Sequence, residues 1–199
     1  MEINNINNYK YLLIDCDGTL ADTQKCHCEA YNASFKFYNI PFNSNDWYKY
    51  SQEGNKNLEQ NMILNKGYKH SDFKKISKMK SNILNKYLDL YMKPNYKLIN
   101  YIKHNIYKHK FILVSNGRKK SIYNILYKLN ILQYFLFILT NEDFNNAKPN
   151  PEPYLTAINK LQNIYNNINK QDCVIIEDNE VGFQSAINAN IDYMNIKNF

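Results

Sequence analysis

The sequence predicts an α/β protein: a doubly wound, parallel, five-stranded sheet with an inserted α-helical subdomain. Three observations carry this. Short apolar runs of strand length recur: "YLLI" at 11–14, "FILV" at 111–114, "FILT" at 137–140, "CVII" at 173–176 and, more weakly, "YMNI" at 193–196. None alternates strictly, as befits strands covered on both faces. Helical patterns lie between the later runs. Ile122, Ile125, Leu126 and Leu129 recur at helical spacing, and so do Tyr154, Ile158, Leu161 and Tyr165.

The third observation is a break in rhythm. Residues 22–93 hold no convincing strand. Leu58 and Met62, then Phe73, Ile76, Met79, Ile83 and Tyr87, are spaced for amphipathic helices. A parallel crossover needs far fewer residues than this stretch has. Residues 1–21 and 94–199 are therefore expected to form the core, and 22–93 a separate helical subdomain.

Composition narrows the function. The 25 basic and 18 acidic residues leave a net charge of +7. The lysines are scattered and no arginine cluster exists, so specific nucleic-acid binding is not expected. The surplus of Asn, Lys, Ile and Tyr is the bias that AT-rich codons give. No apolar run approaches the ~20 residues of a membrane span. The start, "MEINNINNYK", lacks the layout of a signal peptide. A soluble cytoplasmic protein without a membrane partner is expected. The chain stops soon after the fifth strand, and no further C-terminal module is expected. Cys16 and Cys173 sit in or beside strand-like runs, as small buried hydrophobes do. "CHC" at 26–28 lacks the second ligand pair that zinc requires.

Ligands of open α/β sheets bind beyond the carboxyl ends of the strands. Strand 1 ends in "DCDGT", strand 2 in "SNG" and strand 4 in "EDNEVG"; "AKPNPEP" follows strand 3. Gly18, Gly117 and Gly182 fall just past these ends, in a chain with only five glycines. Asp15, Asp17, Glu177 and Asp178 are expected on one rim. Carboxylates so crowded need a cation, and oxygen donors suit Mg²⁺. With the Lys148 charge and the Ser115 hydroxyl they make a seat for a phosphoryl group.

"DCDGTLADT", "VSNG", "KPNPEP" and "IIEDNEVG" resemble, in order, the four motifs of the haloacid dehalogenase superfamily of phosphatases and phosphomutases. The resemblance spans the chain. It is strongest to the branch holding phosphoglycolate phosphatase and β-phosphoglucomutase, with a Rossmann-like core and a helical cap after the first motif.

The resemblance implies roles. Asp15 is the nucleophile that carries an aspartyl-phosphate, and Asp17 the general acid and base. Ser115 donates to the phosphoryl oxygens, and Lys148 neutralises nucleophile and phosphate. Mg²⁺ takes Asp15, the backbone carbonyl of Asp17, Asp178, and Glu177 directly or through water. Gly18, Thr19, Asn116 and Gly117 approach the phosphate. His27 matches a cap-hinge histidine of this branch, and its stretch also reads as a plain helix. In the cap, "SQEGNKN" at 51–57 is the expected substrate loop, with Lys56 as a contact.

The expected activity is Mg²⁺-dependent hydrolysis of a small phosphomonoester by a monomer. A phosphomutase is the alternative, weakened because Gly54-Asn-Lys-Asn stands where the β-phosphoglucomutase cap has Gly-x-Ser-Arg. A non-catalytic member is disfavoured because Asp15, Asp17, Lys148 and Asp178 are all present. One departure concerns Asn190, which stands where the family has glycine before the last strand. Asn tolerates the left-handed conformation.

Overall fold

The structure, a computed structural model, describes residues 1–2, 5–52 and 69–199. The backbone falls into two compact units, Met1–Asp22 with Pro94–Phe199, and Thr23–Lys93.

The first unit is built on five parallel strands: β1 (Tyr11–Ile14), β4 (Lys110–Val114), β5 (Phe135–Leu139), β6 (Cys173–Glu177) and β7 (Asp192–Asn195). Their order is β5-β4-β1-β6-β7. The two-residue strands β2 (Ala21–Asp22) and β3 (Lys93–Pro94) form a separate ribbon. All four residues of β1 are buried, which is why its run does not alternate. The apolar runs had located all five strands; β5 starts at Phe135, two residues before the expected run.

The winding reverses at β1: the chain passes to β4 and β5 on one side, then to β6 and β7 on the other. Ile14 is level with Leu113 and with Ile176. The carboxyl ends of β1, β4 and β6 therefore emerge together.

Helices α4 (Tyr96–His104), α5 (Lys119–Lys128), α6 (Glu152–Ile164) and α7 (Glu180–Ala189) belong to this unit. Tyr154, Ala157, Ile158 and Leu161 of α6 and Ala186 and Ala189 of α7 join Leu13, Ile112, Val114 and Ile175 in one buried cluster. Each large side chain so covered contributes about 1.5–3 kcal/mol.

The second unit holds α1 (Gln24–Phe37), α2 (Ser44–Gln52) and α3 (His70–Tyr91). Its core gathers Cys28, Tyr31, Phe35, Ile40, Trp47 and Ile76. On α3 the sequence places an apolar stripe through Ile76, Met79, Ile83 and Tyr87. The buried line instead runs Ile76, Lys80, Leu84, Leu88, in steps of four, while Met79, Ile83 and Tyr87 are half-buried. Leu58 and Met62 lie outside the described residues. A lysine thus occupies the core line; its ammonium lies 4.9 Å over the Tyr31 ring and 2.8 Å from His27 Nδ1.

Asparagine does work that glycine commonly does. Asn39, Asn130 and Asn190 follow α1, α5 and α7 with φ of 54°, 51° and 54°. Each sits in a Schellman pair: Ile40 N–H to Phe35 O with Asn39 N–H to Lys36 O, Ile131 to Leu126 with Asn130 to Tyr127, and Ile191 to Ala186 with Asn190 to Ile187. Asn accepts the left-handed region at modest cost because its short side chain bonds locally.

All four cysteines are buried free thiols. Among the described residues no helix is long and apolar enough to cross a membrane.

Candidate active site

Asp15 is the first residue beyond β1, and its N–H donates to Ile176 O, 3.0 Å, extending the β6 side of the ladder by one bond. Its carboxylate meets the ammonium of Lys148, whose Nζ donates to Asp15 Oδ1 at 2.7 Å, Glu177 Oε1 at 2.6 Å and Val114 O at 2.8 Å. Three acceptors match the three protons of a lysine ammonium. Asp15, Lys148 and Glu177 are all buried, at 7%, 2% and 1% exposure. Removing any one leaves its partners as uncompensated buried charge.

The Lys148 segment is tied at several points. The Asn116 amide bonds it twice, accepting from Lys148 N–H at 3.0 Å and donating to Lys148 O at 3.2 Å. The Glu152 carboxylate accepts from the backbone N–H groups of Asn145 and Asn146, 2.7 and 2.9 Å. Ser185 and Asn188 of α7 donate to Asn150 O and Pro149 O, 2.7 and 3.1 Å. A loop without regular structure is thereby anchored to the end of β4, to α6 and to α7.

The acidic rim forms where β6 meets α7. Oxygens of Asp15, Glu177 and Asp178 lie within 4.8 Å of one another. Two glycines allow this. A Cβ on Gly182 would stand 1.9 Å from the Glu177 carboxyl carbon. A Cβ on Gly18, whose φ is +91°, would stand 2.1 Å from Asp178 Oδ2. Asn179 caps α7 by accepting from Gly182 N–H at 3.1 Å, and its own Nδ2 donates to Asp178 Oδ1 at 2.8 Å. Burial, then Glu177, pushes the Asp15 carboxyl well above the usual carboxylate range, against the pull of Lys148. The same two causes push Asp178 up to about 7. Such a trio favours either bound protons or a cation, and its all-oxygen donor set fits a hard divalent ion such as Mg²⁺.

Asp17 stands apart from that trio: it is half-buried and adds no carboxylate to the group. The alternation of strand side chains does not reach it, because β1 ends at Ile14. The chain turns instead, with Leu20 N–H on Cys16 O at 2.9 Å and Gly18 N–H on Ala21 O at 2.8 Å. Of the four carboxylates expected on one rim, three lie within 4.8 Å of one another among the described residues.

Ser115 follows β4, buried, and its Oγ accepts from Gly117 N–H at 3.0 Å, which leaves its own proton to donate. Gly117 is level with the base of α5; a Cβ there would lie 2.6 Å from Ile122 Cδ1. Thr19 is fully buried, and its Oγ1 has no hydrogen-bond partner among the described residues. His27 is in the second unit, beside Lys80. Lys56 and Gly54 lie outside the described residues.

Two participants escaped the sequence reading. Tyr154 was seen only as an apolar helix position, yet its buried hydroxyl donates to Glu177 Oε1 at 2.7 Å. Glu152, three residues past the "KP" of the third motif, braces the Lys148 loop. Nothing in either residue's spacing signals these bonds.

Comparison with known proteins gives the family and the fold. The family model of haloacid dehalogenase-like hydrolases matches residues 12–196. A phosphorylated carbohydrates phosphatase of Thermotoga maritima is 22% identical over 187 residues, 91% of this chain and 82% of that protein. The crystal structure of a β-phosphoglucomutase from Clostridium difficile superposes with a TM-score of 0.74 at 23% identity, covering 94% of this chain and 84% of the other. A subfamily IA hydrolase of the same superfamily from Geobacter sulfurreducens gives 0.71 at 21% identity, over 94% and 89%. At these identities the structures share the fold. The family model spans sheet, Lys148 loop and acidic rim alike, and the chain belongs to the haloacid dehalogenase-like hydrolases.

Proposed function

We propose that this hydrolase is a Mg²⁺-dependent phosphomonoester phosphatase that acts through phosphate carried on Asp15. The observation that carries the reading is the Lys148 ammonium held 2.7 Å from Asp15 Oδ1, beside three carboxylates within 4.8 Å. A carboxylate paired with a buried cation is oriented, yet keeps an oxygen for attack.

Asp15, Asp178, Glu177 and the Asp17 backbone carbonyl would hold Mg²⁺, which would screen the phosphoryl charge from the acidic rim. Asp15 attacks phosphorus as the ester P–O bond breaks, and Asp17 gives its proton to the departing oxygen. Asp17 then takes a proton from the water that attacks the phosphorus of the acyl phosphate. Inorganic phosphate leaves and Asp15 is restored. Lys148 offsets the charge on Asp15, and the free proton of Ser115 serves a phosphoryl oxygen. The orphan hydroxyl of Thr19 supports the same reading, because a buried hydroxyl without a partner is suited to a ligand oxygen.

Residues 22–93 would serve as the cap, with His27 and Lys56 as its substrate contacts, and the enzyme would work as a monomer. The name of the Thermotoga maritima relative points to a phosphorylated carbohydrate as substrate. A sugar phosphomutase is the second reading, favoured by the shared fold of the Clostridium difficile enzyme.

The test is a panel of phosphomonoesters, with sugar phosphates foremost, assayed with Mg²⁺ and after metal stripping in EDTA. Release of inorganic phosphate only with metal is expected. Full activity in EDTA would refute the reading; interconversion of sugar phosphates without phosphate release would favour the mutase.

A further inference from the structure

Glu177 has an unequal distribution of partners. Its Oε1 accepts two strong bonds, from Lys148 Nζ at 2.6 Å and from the Tyr154 hydroxyl at 2.7 Å. Among the described residues its Oε2 accepts only from the Asp178 N–H, at 3.2 Å. Tyr154 comes from the first turn of α6, is fully buried, and passes its ring under the same lysine, 4.8 Å from Nζ. One side chain thus touches both members of the Lys148–Glu177 pair, with its hydroxyl on the acid and its ring face on the base.

A carboxylate with one oxygen doubly bonded by fixed donors cannot rotate freely about its last torsion. The donors hold the carboxylate in one orientation. Lys148 alone does not fix this, because an ammonium is a point charge with no preferred plane. The Tyr154 hydroxyl adds a second donor from a rigid ring whose two torsions are locked by burial.

We infer that Tyr154 is a positioning residue for the metal centre: its hydroxyl pins Glu177 Oε1 and so fixes the orientation of a carboxylate that would help to hold the cation. The inference rests on the metal-dependent reading above. Groups that orient metal ligands in this way change metal affinity or activity about 10–100-fold when removed.

The experiment is Mg²⁺ binding by calorimetry, without substrate, on wild type, Tyr154→Phe, Glu177→Gln and the double variant. Phe keeps the ring under Lys148 and deletes only the hydroxyl. Tyr154→Phe is expected to bind Mg²⁺ about tenfold more weakly. In the Glu177→Gln background the same change is expected to add no further loss, since the residue acts through Glu177. Tyr154→Leu, which also removes the ring, is the second probe and should bind no better than the Phe variant. Thermal melts of the metal-free proteins serve as the folding control. Wild-type affinity in Tyr154→Phe, or an equal loss with and without Glu177, overturns the inference while leaving the phosphatase reading intact. A wild type that binds no Mg²⁺ overturns both.

Discussion

One side chain, that of Asn116, bonds both the N–H and the carbonyl of Lys148, at 3.0 and 3.2 Å. The end of β4 and the Lys148 loop are thereby held as a base pair holds two strands. Asn116→Ala deletes both bonds. At about 0.5–1.5 kcal/mol each, the expected loss of stability is about 1–3 kcal/mol, read from the urea midpoint. Turnover should fall as Lys148 loosens. Asn116→Asp keeps the acceptor and loses the donor, so it should land between. An unchanged kcat in the alanine variant would mean that the loop is held without Asn116.

Gly182→Ala places a methyl where the Glu177 carboxylate already stands, 1.9 Å from its carbon. The acid must move off Lys148 and Tyr154. Loss of most Mg²⁺ affinity and of activity is expected, with the sheet retained by circular dichroism. Wild-type metal binding in this variant would show that Glu177 is not needed where it lies.

Lys148→Met replaces the shared cation by an apolar chain of similar length. Asp15 and Glu177 are then buried without compensation. Breaking such a group typically costs about 3–5 kcal/mol. Activity should vanish, and the lost stability should be partly regained at low pH as the acids protonate. A variant equally stable at pH 7 and pH 5 would contradict this.

The two aspartates of the first motif should separate kinetically. Asp15→Asn should form no phospho-enzyme. Asp17→Asn should lose about 10²–10⁴-fold on a sugar phosphate, whose alkoxide needs a proton. With p-nitrophenyl phosphate it should suffer less in the first step and accumulate phosphate on Asp15. Mass spectrometry of quenched enzyme checks this; turnover by Asp15→Asn would remove covalent catalysis.

His109, at the opposite end of β4, gives a pH dependence. It is buried at 1% exposure; its Nδ1 is 2.7 Å from Tyr9 O and its Nε2 is 2.7 Å from the Tyr101 hydroxyl. Donating to Tyr9 and accepting from Tyr101 requires the neutral ring. Burial lowers its pKa from the ordinary 6.5. The unfolded chain therefore takes up this proton first. Stability is fully present above pH 6.5 and falls as pH drops below that value. Urea midpoints at pH 7.5 and 5.5 should differ more in wild type than in His109→Gln; equal slopes would refute the assignment.

The fold was legible because its causes are local. A strand buried on both faces must be apolar along its length; β1 is, and β4 and β6 are except for Lys110 and Glu177 at their ends. Asn190 was readable for the same reason, since a left-handed residue after a helix admits few side chains, and its φ is 54°. The strand ends pointed to Asp15, Lys148, Glu177 and Asp178 because the doubly wound topology dictates where ligands bind. The α3 stripe was misread because Lys80 interrupts it. A buried lysine is invisible to hydropathy when its partner, His27, lies on another helix.

The sequence by itself determined the strands, the parallel doubly wound sheet and the candidate residues at the strand ends, because periodicity and strand-end position are properties of short segments. Only the tertiary structure decided which of those residues touch. Lys148 reaches Asp15 across 133 positions and Glu177 across 29. Asp17 falls outside the acidic trio, past the end of β1 at Ile14. Tyr154 joins the site because α6 carries its first turn beneath the lysine. These are distances between segments that neighbour in space alone, fixed by packing and by the charge that burial forces together.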